Sequence, residues 1–297
     1  MLNTMPENPA RFTLPAVPAV LLSIVSVQGG AAIAKGLFPV LGPAGTTSLR
    51  VGISALVLLL AVRPRVGRLS GAQWRAVVPY GLALGLMNLL FYCALARIPL
   101  GLAVTLEFVG PLGLALAGSR RWGDAVWALL ASMGIALIAP WHGQGIDLLG
   151  LVFALAAGGA WAVYIVLGQR TAAVLPGQQA VAIGMLFAAL PVLPVGVASG
   201  SLLGLTPHLL LLGCALAVFS SVLPFSLEMQ ALRTLPTRTF SILMSLEPVA
   251  AALSGWALLG ERLLLPQWLA VGLIVLASLG ATLAAGAEPT VAAVGGE

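Results

Sequence analysis

Residues Ala231 to Pro248 read ALRTLPTRTFSILMSLEP: a turn holding two arginines, then an apolar stretch with one carboxylate, Glu247, followed at once by a proline. Nearly the same phrase occurs earlier, from Ala94 to Pro111, as ALARIPLGLAVTLEFVGP. Superimposing Ala94 on Ala231 carries Pro99 onto Pro236 and Pro111 onto Pro248, at a common offset of 137 residues. The acids do not coincide. Glu107 lies three positions before the place that matches Glu247, a spacing that keeps both on one helix face. An internal repeat whose copies each set an acid inside an apolar run organises the reading of the whole chain.

The surroundings of the repeat are almost free of charge. Hydrophobic residues make up 60% of the chain, charged ones 8%, and mean hydropathy is +1.07; a soluble domain carries about 25% charged residues. Apolar runs of the length needed to cross a bilayer, roughly 17–25 residues, fall at 16–34, 44–62, 74–95, 99–118, 124–140, 147–167, 179–199, 208–230, 236–259 and 264–286. These predict an all-α polytopic membrane protein of ten spans. Residues 1–15 and 287–297 are expected to be short tails. Ala32-Ile33-Ala34 after an apolar run resembles a cleavage signal, but the weak n-region predicts retention. The basic excess forms no cluster on a soluble module, which argues against nucleic acid as a partner. Cys93 and Cys214 both fall in apolar runs and predict buried thiols.

Arginine placement sets the orientation. With the N-terminus in the cytoplasm, inside loops hold Arg11, Arg63, Arg65, Arg68, Arg75, Arg120, Arg121, Arg170, Arg233 and Arg238, while outside loops hold only Lys35, Arg97 and Arg262. That asymmetry predicts both termini inside. The offset of 137 moves span three onto eight and four onto nine, so each half holds an odd number of spans. The halves, 16–140 and 147–286, are therefore expected to enter the membrane in opposite senses. Secondary transporters use such inverted repeats and bind substrate near the midplane between them. Gly81-xxx-Gly85 and Gly196-xxx-Gly200 could bring helices close.

Four separated motifs then resemble one family in order and spacing: VQGGAAIAKGLFP (Val27 to Pro39), PLGLAVTLEFVGPL (Pro99 to Leu112), GAWAVYIVLGQR (Gly159 to Arg170) and SLEMQALRTLPTRTFSILMSLEP (Ser226 to Pro248). They are similar to bacterial threonine and homoserine exporters of the RhtA type, members of the drug/metabolite transporter superfamily with two EamA domains. The resemblance implies ten helices, an inverted repeat, a central cavity and export driven by the proton-motive force across the bacterial inner membrane. It implies a small amino acid and protons as partners, and no cofactor. Export of another small metabolite, or a passive channel, stays open at this point.

The residues able to carry transport chemistry are few. A charge inside a bilayer costs about 2.5–3.5 kcal/mol on insertion scales, so each needs a partner or a task. By span position Glu107 and Glu247 lie ~12 and ~17 Å deep, and are the candidates for binding a substrate ammonium and exchanging a proton; a structural pair is the bland alternative. Arg50, the one arginine well inside a span, could receive a carboxylate bidentately or stand as partner to one of those acids. Gln28, Asn88, Tyr92, Trp161 and Tyr164 suit a small hydroxylated ligand or ordinary helix–helix hydrogen bonds. Glu228 with Arg233 or Arg238 reads as a gate or structural pair, and Lys35, which the family carries too, as gate or snorkelling cation. His142 and His208 flank outer loops and are expected to be solvated. No HExxH motif is present. Gly52-Ile53-Ser54 lacks a histidine within any span to serve as a base, so no catalytic residue or metal ligand is expected.

Overall fold

The computed structural model describes residues 15–117, 124–138, 147–232, 240 and 243–285. Arg233, Arg238, Arg120, Arg121 and His142 lie outside them. Among the described residues all regular structure is helical: α1 (Ala16–Val62), α2 (Gly71–Leu95), α3 (Leu100–Glu107), α4 (Val109–Ala117), α5 (Asp124–Ile138), α6 (Leu148–Ala172), α7 (Gly177–Ala198), α8 (Pro207–Ala217), α9 (Leu223–Leu232), α10 (Glu247–Leu259) and α11 (Leu265–Ala285). A π-turn, Val218–Val222, joins α8 to α9. By length and composition α1, α2, α6 and α7 are each long and apolar enough to cross a membrane. The outer surface carries large apolar side chains such as Leu60, Leu203, Trp256 and Leu265, each more than 60% exposed, a surface that suits lipid and not water.

Side-chain caps set three of the helix starts. Ser70 and Gln73 form a capping box at the start of α2, Asp147 accepts from the N–H groups of Leu149 and Gly150 at α6, and Thr206 caps α8 with Pro207 next to it. These satisfy donors that a helix start otherwise leaves orphaned. Arg97 bridges Asp147 at 2.6 Å, and that hydrogen bond holds the carboxyl below its ordinary range.

The sequence-based spans are interrupted in ways the apolar runs do not show. The first two spans are one helical stretch, α1, broken only at Gly42 (φ 62°, ψ 174°) between Pro39 and Pro43. A positive φ is tolerated there because glycine has no Cβ. The fourth span divides at Phe108 into α3 and α4, and the ninth turns at Ser245 and Leu246 before α10 begins at Glu247. Phe108 and Leu246 keep right-handed dihedrals, so these are kinks and not reversals. Their cause is the missing N–H of Pro111 and Pro248, which frees the carbonyls of Glu107 and Met244 four residues back. Those two carbonyls are related by the repeat offset of 137.

Close packing relies on small residues. A Cβ on Gly81 would meet the Gly184 carbonyl oxygen at 2.4 Å, and one on Gly85 the Ala188 carbonyl oxygen at 2.5 Å, so α2 and α7 touch backbone to backbone. Gly196 abuts Ser48, but Gly200 (φ 71°) has open space around its Cβ direction and serves the turn after α7, not packing. Cys214, expected to be buried, is exposed on α8, and both thiols are free.

Candidate functional site

A cavity of about 180 Å³ lies between the helices, and it collects the charged and polar groups that the spans carry. From α1 come Gln28 and Arg50, from α2 Asn88, from α3 Glu107, from α6 Trp161 and Tyr164, and from α10 Glu247. Seven of the eight residues expected to bind substrate thus share one lining. The exception is Tyr92, which is fully buried behind the wall and reaches the site only through Arg50. Glu228, expected at a gate, lines the same cavity.

The acids differ in setting. Glu107 ends α3 and Glu247 opens α10, each 8% exposed. The first turn of a helix presents unpaired N–H groups, a place where negative charge is favoured, whereas the last turn presents carbonyls. Gln28 donates to one Glu247 oxygen at 3.3 Å. Glu247 Oε2, Gln28 Oε1 and Ser220 Oγ are buried with no hydrogen-bond partner among the described residues. Orphaned buried oxygens are costly, about 1–3 kcal/mol each, and acceptors left bare beside a cavity are suited to a ligand with several N–H donors.

Arg50 makes no ion pair among the described residues. Among the described residues the pairs within 4 Å are Lys35–Glu261 and Arg97–Asp147, so the alternative of Arg50 as standing partner to Glu107 or Glu247 is not realised. Its guanidinium donates to the Tyr92 hydroxyl at 3.0 Å, to the Ser220 carbonyl at 3.3 Å and to the Ser221 hydroxyl at 3.4 Å. It also lies 5.3 Å from the centroid of the Tyr92 ring. A cation held by neutral groups keeps its charge available to a third party.

The remaining members are held by their neighbours. Trp161 meets Phe108 edge to face at 5.0 Å, which joins the cavity wall to the kink after Glu107. Tyr164 stacks on Tyr80, their hydroxyls 3.2 Å apart, and Asn88 returns its amide to the Leu84 carbonyl. Glu228 accepts from Ser23; Arg233 and Arg238, its expected partners, lie outside the described residues. Lys35 does not snorkel free. It pairs with Glu261 at 2.6 Å and donates to the Ile98 carbonyl, while the other Glu261 oxygen accepts from Leu100 N–H at the start of α3. Sequence reasoning missed Glu261, Ser220 and Ser221; the last two had a legible signal, a pair of hydroxyls just ahead of Pro224 in an apolar span.

Comparison with known proteins identifies the family. The model of the EamA-like transporter family matches residues 148–283. The threonine/homoserine exporter RhtA of Escherichia coli K12 is 46% identical over 267 residues, 89% of this chain and 90% of its own. The protein of the same description from Salmonella typhimurium LT2 is 45% identical over 275 residues, 92% of each chain. A solved crystal structure, 21% identical, aligns over 93% of this chain and all of its own with a TM-score of 0.59, which shows a shared fold. Identity of this extent across nearly the full length makes the chain a membrane protein of the EamA-like transporter family, of the RhtA type.

Proposed function

We propose that this chain is a secondary active exporter of small amino acids, threonine or homoserine foremost, that exchanges substrate for protons by alternating access across the bacterial inner membrane. The observation that carries this reading is the cavity itself. Glu107, Glu228 and Glu247 line the same space as Arg50, which has no ion pair among the described residues, so a zwitterion finds acceptors for its ammonium and a guanidinium for its carboxylate. Glu247 Oε2 and Gln28 Oε1 can take the ammonium together, and Arg50 offers a planar fork to the carboxylate. One carboxylate cannot hold a proton and an ammonium on the same oxygens at once. That mutual exclusion is sufficient machinery for antiport. The names of the relatives support the substrate.

Two inverted five-span repeats, 16–140 and 147–286, account for the packing. The N-terminal part of α1 meets the π-turn and α9, just as α6 packs on α2; exchange of the halves interconverts these contacts. The C-terminal part of α1 lies on α7 through Ser48 and Gly196. The pair α5 with α11 likewise maps onto itself. Both kinked helices, with their acids near the break, then meet at the centre, as discontinuous helices do in other transporters.

The test is efflux of a panel of radiolabelled amino acids from vesicles holding the purified protein, with and without an imposed pH gradient. Threonine and homoserine should leave fastest, and the gradient should drive them against their own. Efflux indifferent to the gradient would indicate a passive channel, and efflux of other compounds only would move the assignment to another metabolite.

A further inference from the structure

The interruption between α8 and α9 has a chemical consequence for the cavity. In the π-turn the Leu223 N–H donates to the Val218 carbonyl, five residues back. Pro224 has no N–H, so it cannot supply the donor that an α-register would give to the Ser220 carbonyl, nor the one that a π-register would give to the Phe219 carbonyl. Both carbonyls are instead taken by α1. Ser26 Oγ donates to the Phe219 carbonyl at 2.7 Å, and Arg50 Nη2 donates to the Ser220 carbonyl at 3.3 Å. The two parts of α1, on either side of the Gly42 break, are thereby pinned to consecutive carbonyls of one turn. Gly30 makes the approach close enough, for a Cβ there would meet Ser220 Oγ at 2.0 Å.

We propose that the Val218–Val222 π-turn, held open by Pro224 and backed by Tyr92, is the device that aims the Arg50 guanidinium into the cavity, so that Pro224, Ser221 and Tyr92 are positioning residues for recognition of the substrate carboxylate. A guanidinium on a long side chain has many rotamers, and directional recognition of a planar carboxylate needs one of them. Three acceptors at fixed positions select it: a backbone carbonyl that the helix has released, a hydroxyl on the adjacent residue, and the Tyr92 hydroxyl, whose buried ring also faces the cation. None of the three carries charge, so none of them neutralises the guanidinium.

This inference rests on the reading of Arg50 as carboxylate receptor, and the experiment separates the two. Full-length protein in vesicles is assayed for transport of L-threonine and of L-threoninol, the same molecule without the carboxylate. Arg50→Gln should abolish the preference for threonine. Tyr92→Phe and Pro224→Ala should each raise the KM for threonine roughly tenfold, the scale of one lost hydrogen bond to a charged group, with little change in maximal rate. Both should narrow the preference over threoninol, and Tyr92→Phe added to Arg50→Gln should cost nothing further, since it acts through Arg50. If Arg50→Gln keeps the preference, the reading of Arg50 and the inference fall together. If Arg50→Gln loses it while Tyr92→Phe and Pro224→Ala retain wild-type KM and preference, the inference alone is overturned. Should Pro224→Ala not reach the membrane, Tyr92→Phe decides by the same criteria.

Discussion

Gln28 and Glu247, 219 positions apart in the chain, meet at 3.3 Å in the cavity wall, and each keeps one buried oxygen without a hydrogen-bond partner among the described residues. The pair thus leaves two acceptors unused in the lining of one cavity, and an ammonium brings three donors. Glu247→Gln keeps shape and hydrogen bonding but can neither release a proton nor pair with an amine. We expect it to insert normally and lose pH-driven efflux, with Glu107→Gln as the control in the mirrored helix. Wild-type rate and pH dependence in Glu247→Gln, measured in the same vesicles, would move the coupling role to Glu107 or end the antiport assignment.

The Lys35–Glu261 pair ties the N-terminal part of α1 to the loop before α11 and to the first N–H of α3. Lys35→Met strands a carboxylate that is only 13% exposed, at a cost of about 2 kcal/mol, the worth of a charge-assisted hydrogen bond. Thermal unfolding in detergent should show the loss, and the exchanged pair Lys35→Glu with Glu261→Lys should recover part of it. Equal melting of Lys35→Met and wild type would count the pair as decorative.

Backbone contact between α2 and α7 leaves no room at Gly81. Gly81→Ala should therefore destabilise by about 1–3 kcal/mol, the usual range for overpacking. Gly200→Ala meets no neighbour and pays only for its positive φ, so its loss should be smaller. Reversal of that order in the same melting assay would contradict the close crossing.

Orientation is open to chemical labelling. On a background lacking Cys93 and Cys214, a single cysteine within 141–146 should react with an impermeant maleimide from outside intact cells, and one in either terminal tail should not. Reaction at 141–146 only after permeabilisation would overturn the arrangement with both termini inside.

Much of this was legible in the chain because the relevant physics is local. Composition alone demands a membrane, since so few charges cannot clothe a soluble surface of this length. The repeated phrase marks the kinks, because a proline removes a hydrogen bond wherever the helix lies, and solitary acids in apolar runs mark the helices that meet at the site. What the tertiary structure decided is who touches whom. Arg50 turned to one released carbonyl, a serine and a tyrosine in place of an acid, Lys35 found Glu261, Tyr92 moved behind the wall, and Glu228 came into it. Sequence could not supply these partners, because lipid and protein interior are equally apolar to a spanning helix. The face that turns inward is chosen by small-residue contacts and by polar groups seeking one another across nearly the whole chain, and such long-range pairing leaves no periodic mark.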